Sequence, residues 1–138
     1  MSQLLSRVVL GLALAGFVAG VSAESRLPDL TTQAPYKKAY AGMLAYPDWV
    51  STGQGTAAPV EKVVVDGKTY TVGQMCKPHD CADNQLNVVF SPDAKHAWGL
   101  LSVRAENAEA FDQQYLGMPD ETIKKLLKKS FADNNPTD

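Results

Sequence analysis

The chain has 138 residues, 45% of them hydrophobic and 20% charged, with 13 Lys+Arg against 15 Asp+Glu and a formal net charge of −2. That length holds one domain, and the acidic balance excludes the basic footprint that nucleic-acid binding needs. The hydrophobic share suits a packed core and argues against a disordered chain.

Arg7 opens an apolar run from Val8 to Gly20 (VVLGLALAGFVAG) that ends in the small residues Val21-Ser22-Ala23. A positive start, a short apolar stretch and a small-residue cleavage site predict a secretory signal peptide over residues 1–23. The run is too short for a membrane span. The residue after the cut is Glu24, not the Cys of a bacterial lipoprotein, so the expected product is an exported, soluble domain of residues 24–138 with no membrane anchor. Cys76 and Cys81 lie in that exported part, where thiols are oxidised, and their even number predicts one disulfide between them.

Glu24 to Thr32 reads as a polar lead-in containing Pro28. Pro35 suits the first turn of a helix, and Tyr36, Tyr40, Met43 and Leu44 follow at helical spacing until Pro47, predicting a helix over 35–45. Pro47 to Pro59 (PDWVSTGQGTAAP) has no periodicity and predicts a loop, with Trp49 and Val50 tucked under the core. Val60 to Val65 is rich in β-branched residues, Asp66-Gly67 is a preferred type I′ turn, and Lys68 to Val72 alternates, so a β-hairpin is expected. Leu86, Val88 and Phe90 mark a third strand, Ser91-Pro92-Asp93 a turn, and Ala97 to Val103 a fourth strand apolar on both faces. After the polar connection Arg104 to Glu109, the alternation of Phe111, Gln113 and Tyr115 predicts a fifth.

Pro119-Asp120-Glu121 opens a helix whose apolar stripe is Ile123, Leu126, Leu127 and Phe131, and the tail Ala132 to Asp138 is expected to fray. Trp98 and Tyr115 are assigned to the core. The elements add up to an α+β fold, a five-stranded antiparallel meander flanked by helices on both faces in three layers.

Cys76-Lys77-Pro78-His79-Asp80-Cys81, between the second and third strands, is where the chemistry concentrates. A disulfide across so small a ring contributes roughly 2 kcal/mol by loop entropy, a weak reason for having it. The proline removes further freedom, and Lys77, His79 and Asp80 are polar, so the loop reads as a device holding His79 outward and rigid. Cys76, His79 and Cys81 with His96 would make a zinc set, but the spacing is cramped and export favours oxidation, so no metal is expected. Dithiol redox motifs have two intervening residues and this one has four. The plain alternative is a stapled turn with an incidental histidine.

No Gly-x-Ser-x-Gly elbow and no phosphate-cradling glycine motif occurs, so neither an enzyme nor a cofactor is expected. Lys124, Lys125, Lys128 and Lys129 read as the solvated face of the last helix, and His96 as an ordinary exposed histidine.

CKPHDC between two strands of an exported domain resembles the signature loop of the inhibitor of vertebrate lysozyme family, proteins of the Gram-negative envelope. The helix before Pro47, PDWV at Pro47 to Val50, the Asp66-Gly67 hairpin and the strand carrying Trp98-Gly99-Leu100 resemble that family's order of elements. The resemblance implies helices on both sides of a five-stranded meander and a periplasmic inhibitor that protects peptidoglycan from c-type lysozyme. It also implies a mechanism. The loop enters the cleft of the lysozyme with His79 as the key, Cys76 and Cys81 hold it, and Lys77, Pro78 and Asp80 shape its flanks. Asp80 is assigned to contact with the target and Asp83 to the turn itself.

Retaining glycosidases such as lysozyme hold their two carboxyls about 5 to 5.5 Å apart, a gap that an imidazole bridges with nitrogens on opposite sides of its ring. Two alternatives stand beside this one. One is a regulator of the bacterium's own lytic transglycosylases, which offer a single catalytic carboxylate; the other is an envelope binding module without inhibition. Some inhibitors of the family pair as homodimers, which here would require an exposed apolar patch.

Overall fold

Asp66 and Gly67 both have positive φ, 50° and 75°, as a two-residue type I′ turn requires and as glycine adopts without steric cost. On either side of this turn β1 (Glu61–Val65) and β2 (Lys68–Cys76) pair antiparallel, from Val65 against Lys68 to Glu61 against Val72. β3 (Asn84–Phe90), β4 (Ala97–Val103) and β5 (Asp112–Leu116) continue the sheet in the order β1-β2-β3-β4-β5, antiparallel at every step. The computed structural model describes residues 24–43 and 47–137. The signal segment expected over 1–23, and Leu44 and Ala45 of the expected first helix, lie outside the described residues.

This is the five-stranded antiparallel sheet of the expected α+β fold, with shifted strand ends. β2 runs past Val72 to Cys76 because Gly73, Gln74, Met75 and Cys76 pair with Val88, Asn87, Leu86 and Gln85 of β3. A pairing partner, and not local alternation, makes those residues a strand. β5 begins just after Phe111.

Four helices accompany the sheet among the described residues, α1 (Leu27–Leu30), α2 (Tyr36–Ala41), α3 (Asp48–Ser51) and α4 (Glu121–Asn134). α1 corrects the polar lead-in: the Asp29 carboxylate accepts the Arg26 N–H at 2.9 Å, and Leu27 and Leu30 are buried. α3 corrects the expected loop, one helical turn entered through Pro47 that buries Trp49 and Val50 as anticipated. The Tyr40 hydroxyl donates to the Val50 carbonyl and ties α2 to α3, and burial pushes its pKa far above the ordinary phenol range. α4 starts where expected, with Asp120 Oδ1 accepting the Ile123 N–H at 2.9 Å as an N-cap. The frayed tail is corrected. The helix continues through Asn134, and the side chains of Asn134 and Asn135 are bonded to β3.

Alternate residues of the same strands feed two cores. Met75, Leu86, Val88, Phe90 and Leu101 pack with Leu27, Leu30, Tyr40, Met43, Trp49 and Val50, while Val72, Val89 and Leu100 pack with Ile123, Leu126 and Leu127 of α4. Successive side chains on a strand point to opposite sides, so each neighbour along β3 is claimed by a different core. Each such aliphatic side chain contributes about 1.5 to 3 kcal/mol when fully buried. Trp98 and Tyr115, expected inside, are half-buried at the margin of the α4 core, with Lys124 and Lys128 lying 5.4 and 5.9 Å from the Tyr115 ring centre.

Toward one end of the sheet the apolar ground gives way. Asn87, only 1% exposed, donates through Nδ2 to Ser130 Oγ at 2.7 Å and to Asn134 Oδ1 at 3.0 Å. The meander brings the β2–β3 and β4–β5 connections to this same end and sends the β1–β2 and β3–β4 turns to the other. No helix among the described residues is long and apolar enough to cross a membrane.

Candidate functional site

The β2–β3 connection closes in two independent ways. Cys76 and Cys81 form the expected disulfide, with their Cα atoms 4.7 Å apart. The backbone closes it again, because the Lys77 N–H donates to the Asn84 carbonyl at 3.0 Å and the Asn84 N–H to the Asp80 carbonyl at 3.2 Å. Inside the ring the Asp80 N–H donates to the Lys77 carbonyl at 3.0 Å. Proline in second place and His79 at φ 65° in third are the features of a type II turn. Histidine is among the few non-glycine residues enriched at positive φ.

The outcome is an apex of three exposed residues, Lys77, Pro78 and His79, on half-buried shoulders, Cys76 and Asp80. His79 has no side-chain partner among the described residues. Asp80 is committed to the loop, since its Oδ2 accepts from Asn84 Nδ2 at 2.7 Å. Asp83 reaches further than its own turn: its Oδ1 accepts from Arg104 Nε at 2.7 Å, and its carbonyl from the Arg104 N–H at 2.8 Å. Arg104 in turn lies 4.9 Å from the centre of the Phe111 ring.

On the β2 side, Thr56 exchanges two backbone hydrogen bonds with Cys76, at 3.0 and 2.9 Å. The approach depends on Gly55, where a Cβ would sit 2.8 Å from the Cys76 carbonyl oxygen. Both segments leading into the ring are thus fastened to the body, while the apex, with Cys81 and Ala82 after it, is left to solvent. Sequence reasoning found the ring and its histidine but missed Gly55, Thr56, Asn84, Gln85, Arg104 and Asn135. Asn84 was legible as a turn former; the others act through partners far away in the chain.

The structure separates the residues of the zinc alternative. Both sulfurs are engaged with each other, and His96 sits beyond Ala97 at the opposite end of the sheet from the loop. Among the described residues no group of three His, Cys, Asp or Glu is placed to hold a metal ion. The lysines of α4 behave as a solvated face. Lys124 pairs with Glu121 at 2.8 Å and Lys129 with Asp133 at 2.6 Å, each carboxylate raising its partner's pKa, and Lys128 donates to Gln113.

Similarity to known proteins points the same way as the loop. A protein of Pseudomonas aeruginosa named Inhibitor of vertebrate lysozyme is 34% identical over 140 residues, spanning 93% of this chain and 92% of its own length. The protein of that name from Escherichia coli K12 is 32% identical over 90 residues, 65% of this chain and 56% of its own. An uncharacterized protein of Yersinia pestis is 37% identical over 118 residues, 78% of this chain and 77% of its own. Residues 35–133, which include the whole sheet and the ring, match the family model described as Inhibitor of vertebrate lysozyme (Ivy). By this match and by full-length similarity, the chain belongs to the inhibitor of vertebrate lysozyme family, whose members act on an enzyme and are not enzymes themselves.

Proposed function

We propose that the protein is a periplasmic inhibitor of c-type lysozyme that inserts the Cys76–Cys81 loop into the substrate cleft and sets His79 between the two catalytic carboxyls. The observation that carries this reading is the exposed His79 at the apex of a ring whose flanking segments are all bonded to the body. Family membership supplies the target class, and the signal segment expected over 1–23 supplies the compartment.

The chemistry of the proposal follows from the ring. An imidazole has two nitrogens on opposite sides of a flat ring and donates from both when charged. Two carboxyls about 5 to 5.5 Å apart fit those two donors, and their negative charge favours the imidazolium form once His79 lies between them. A loop already fixed in shape avoids the ordering cost that a flexible peptide meets on entering a cleft. Lys77 and Pro78 complete the inserted surface, while Asp80, engaged by Asn84, serves the ring's shape.

The test is residual c-type lysozyme activity on bacterial cell walls, titrated with the purified mature protein and with its His79→Ala variant. Near-stoichiometric loss of activity with the wild type, absent with the variant, is the expected result. A folded wild type that leaves lysozyme untouched would overturn the proposal and transfer attention to lytic transglycosylases of the envelope.

A further inference from the structure

We infer that Asn135, just past the end of α4, is a positioning residue for His79: its paired amide contact with Gln85 sets the base of the loop in place. The inference rests on the inhibitory reading above and adds to it a part of the chain far from the ring in sequence.

Gln85 stands opposite Cys76 on β2 and opposite Ser102 on β4, and Ser102 stands opposite Gln113 on β5. Cys76, Gln85, Ser102 and Gln113 therefore form one polar row across four strands, immediately beneath the loop. α4 grips this row at two points, from Lys128 in mid-helix and from Asn135 just past its end. Lys128 donates to Gln113, which passes a hydrogen bond of 3.0 Å to Ser102 Oγ. Asn135 and Gln85 exchange two side-chain hydrogen bonds, Gln85 Nε2 to Asn135 Oδ1 at 2.8 Å and Asn135 Nδ2 to Gln85 Oε1 at 2.7 Å.

Asn135 is itself held, because Nδ2 also donates to the Phe131 carbonyl at 2.8 Å. Gln85 Nε2 reaches on to the Ala82 carbonyl at 3.4 Å. A continuous chain of amide contacts thus runs from a helix carbonyl through Asn135 and Gln85 to the residue after Cys81. A shift of Gln85 moves both sides of the ring, Cys76 through the strand pairing and Cys81 through Ala82. The apolar anchors of α4 are Ile123, Leu126, Leu127 and, against Phe111, Phe131, so fixing the helix does not require Asn135. Asn134 and Asn135 lie just past the segment 35–133 that matches the family model.

The experiment measures lysozyme inhibition and melting temperature for Asn135→Ala, His79→Ala, the two combined, and Asn135→Asp. Asn135→Ala is expected to weaken inhibition roughly tenfold, the size of an ordering cost of about 1.4 kcal/mol returned to the loop on binding, with the melting temperature lowered by several degrees at most as two hydrogen bonds are lost. The two residues do not touch, so the His79→Ala penalty should shrink in the Asn135→Ala background only if Asn135 acts through His79. Asn135→Asp keeps the acceptor for Gln85 Nε2 but sets a carboxylate oxygen against two acceptors, Gln85 Oε1 and the Phe131 carbonyl, and should weaken inhibition at least as much as Asn135→Ala. Inhibition equal to wild type, or penalties that simply add, would overturn the inference.

Amide hydrogen exchange at Lys77, Asp80 and Asn84 gives a readout that needs no lysozyme. Faster exchange in Asn135→Ala supports the positioning role even if the wild type proves not to inhibit, which would sink only the inhibitory reading. Unchanged exchange overturns the positioning role itself.

Discussion

The loop from Cys76 to Asn84 and the turn from Ser91 to His96 contain the same kinds of residue, a proline, at least one aspartate and a histidine, and sit at opposite ends of one sheet. They are closed by different means. In the Ser91 turn two backbone hydrogen bonds, Ser91 N–H to the His96 carbonyl at 3.0 Å and Ala94 N–H to the Ser91 carbonyl at 2.9 Å, are joined by side chains: Ser91 Oγ donates to Asp93 Oδ1 at 2.7 Å, the Lys95 N–H donates to the same oxygen at 3.0 Å, and the His96 N–H donates to Ser91 Oγ at 3.1 Å. His96 then stacks on Trp98, 6.0 Å between ring centres. In the loop a disulfide joins the backbone hydrogen bonds and the Asn84–Asp80 side-chain bond, and the His79 side chain has no partner among the described residues. The covalent closure lets the loop hold its shape with its histidine uncommitted, whereas the histidine of the Ser91 turn stacks on the sheet.

Five variants break or sharpen that contrast, beginning with the largest expected effect. His79→Ala should cost about 2 kcal/mol or more in lysozyme binding, as a buried hot spot does, with an unchanged melting temperature. His96→Ala should leave inhibition as it was, and equal losses from the two would erase the distinction between the turns. Replacing Cys76 and Cys81 together by serine should lower stability by roughly 2 kcal/mol, measurable by denaturant unfolding. Inhibition should fall as well under conditions where the variant stays folded, because the ring then pays to order itself on binding.

Arg104→Ala removes the tie to Asp83, a half-exposed pair worth about 0.5 to 1 kcal/mol, so inhibition should weaken no more than about fivefold. The smallest effect belongs to Asp93, whose carboxyl is held below its ordinary pKa first by the Ser91 hydroxyl and then by the Lys95 N–H. A lowered folded-state pKa means a stabilisation present above the ordinary carboxylate range and lost as pH falls through the lowered value. Melting curves of wild type and Asp93→Asn should therefore differ at neutral pH and converge in acid, with inhibition at neutral pH the same for both.

The parts of this molecule that were legible in sequence are those with a local cause. Asp66-Gly67 announces its hairpin by turn chemistry, Ala97 to Val103 its strand by an unbroken apolar run, and Asp120 its helix by capping. The candidate site was legible for the same reason, since two cysteines, a proline and a histidine within six residues carry their meaning together. What escaped was decided by distant partners. Gly73 to Cys76 form a strand because β3 lies alongside, and Leu27 and Leu30 form a buried turn because β2 and its neighbours offer a core to cover. Asn134 and Asn135 looked like a polar, fraying tail until their amides met Asn87 and Gln85 on β3. A polar residue gives no sign of which polar residue, dozens of positions away, will satisfy it.

The most direct test of the inhibitory key is a double-mutant cycle across the complex, pairing His79→Ala with lysozyme variants in which one catalytic carboxyl at a time is changed to its amide. If His79 lies between the carboxyls, each cycle should give a coupling of at least about 1.5 kcal/mol, the lower end of what close charged pairs show at interfaces. Losses that add without coupling at both carboxyls would contradict the placement of His79 in the catalytic centre.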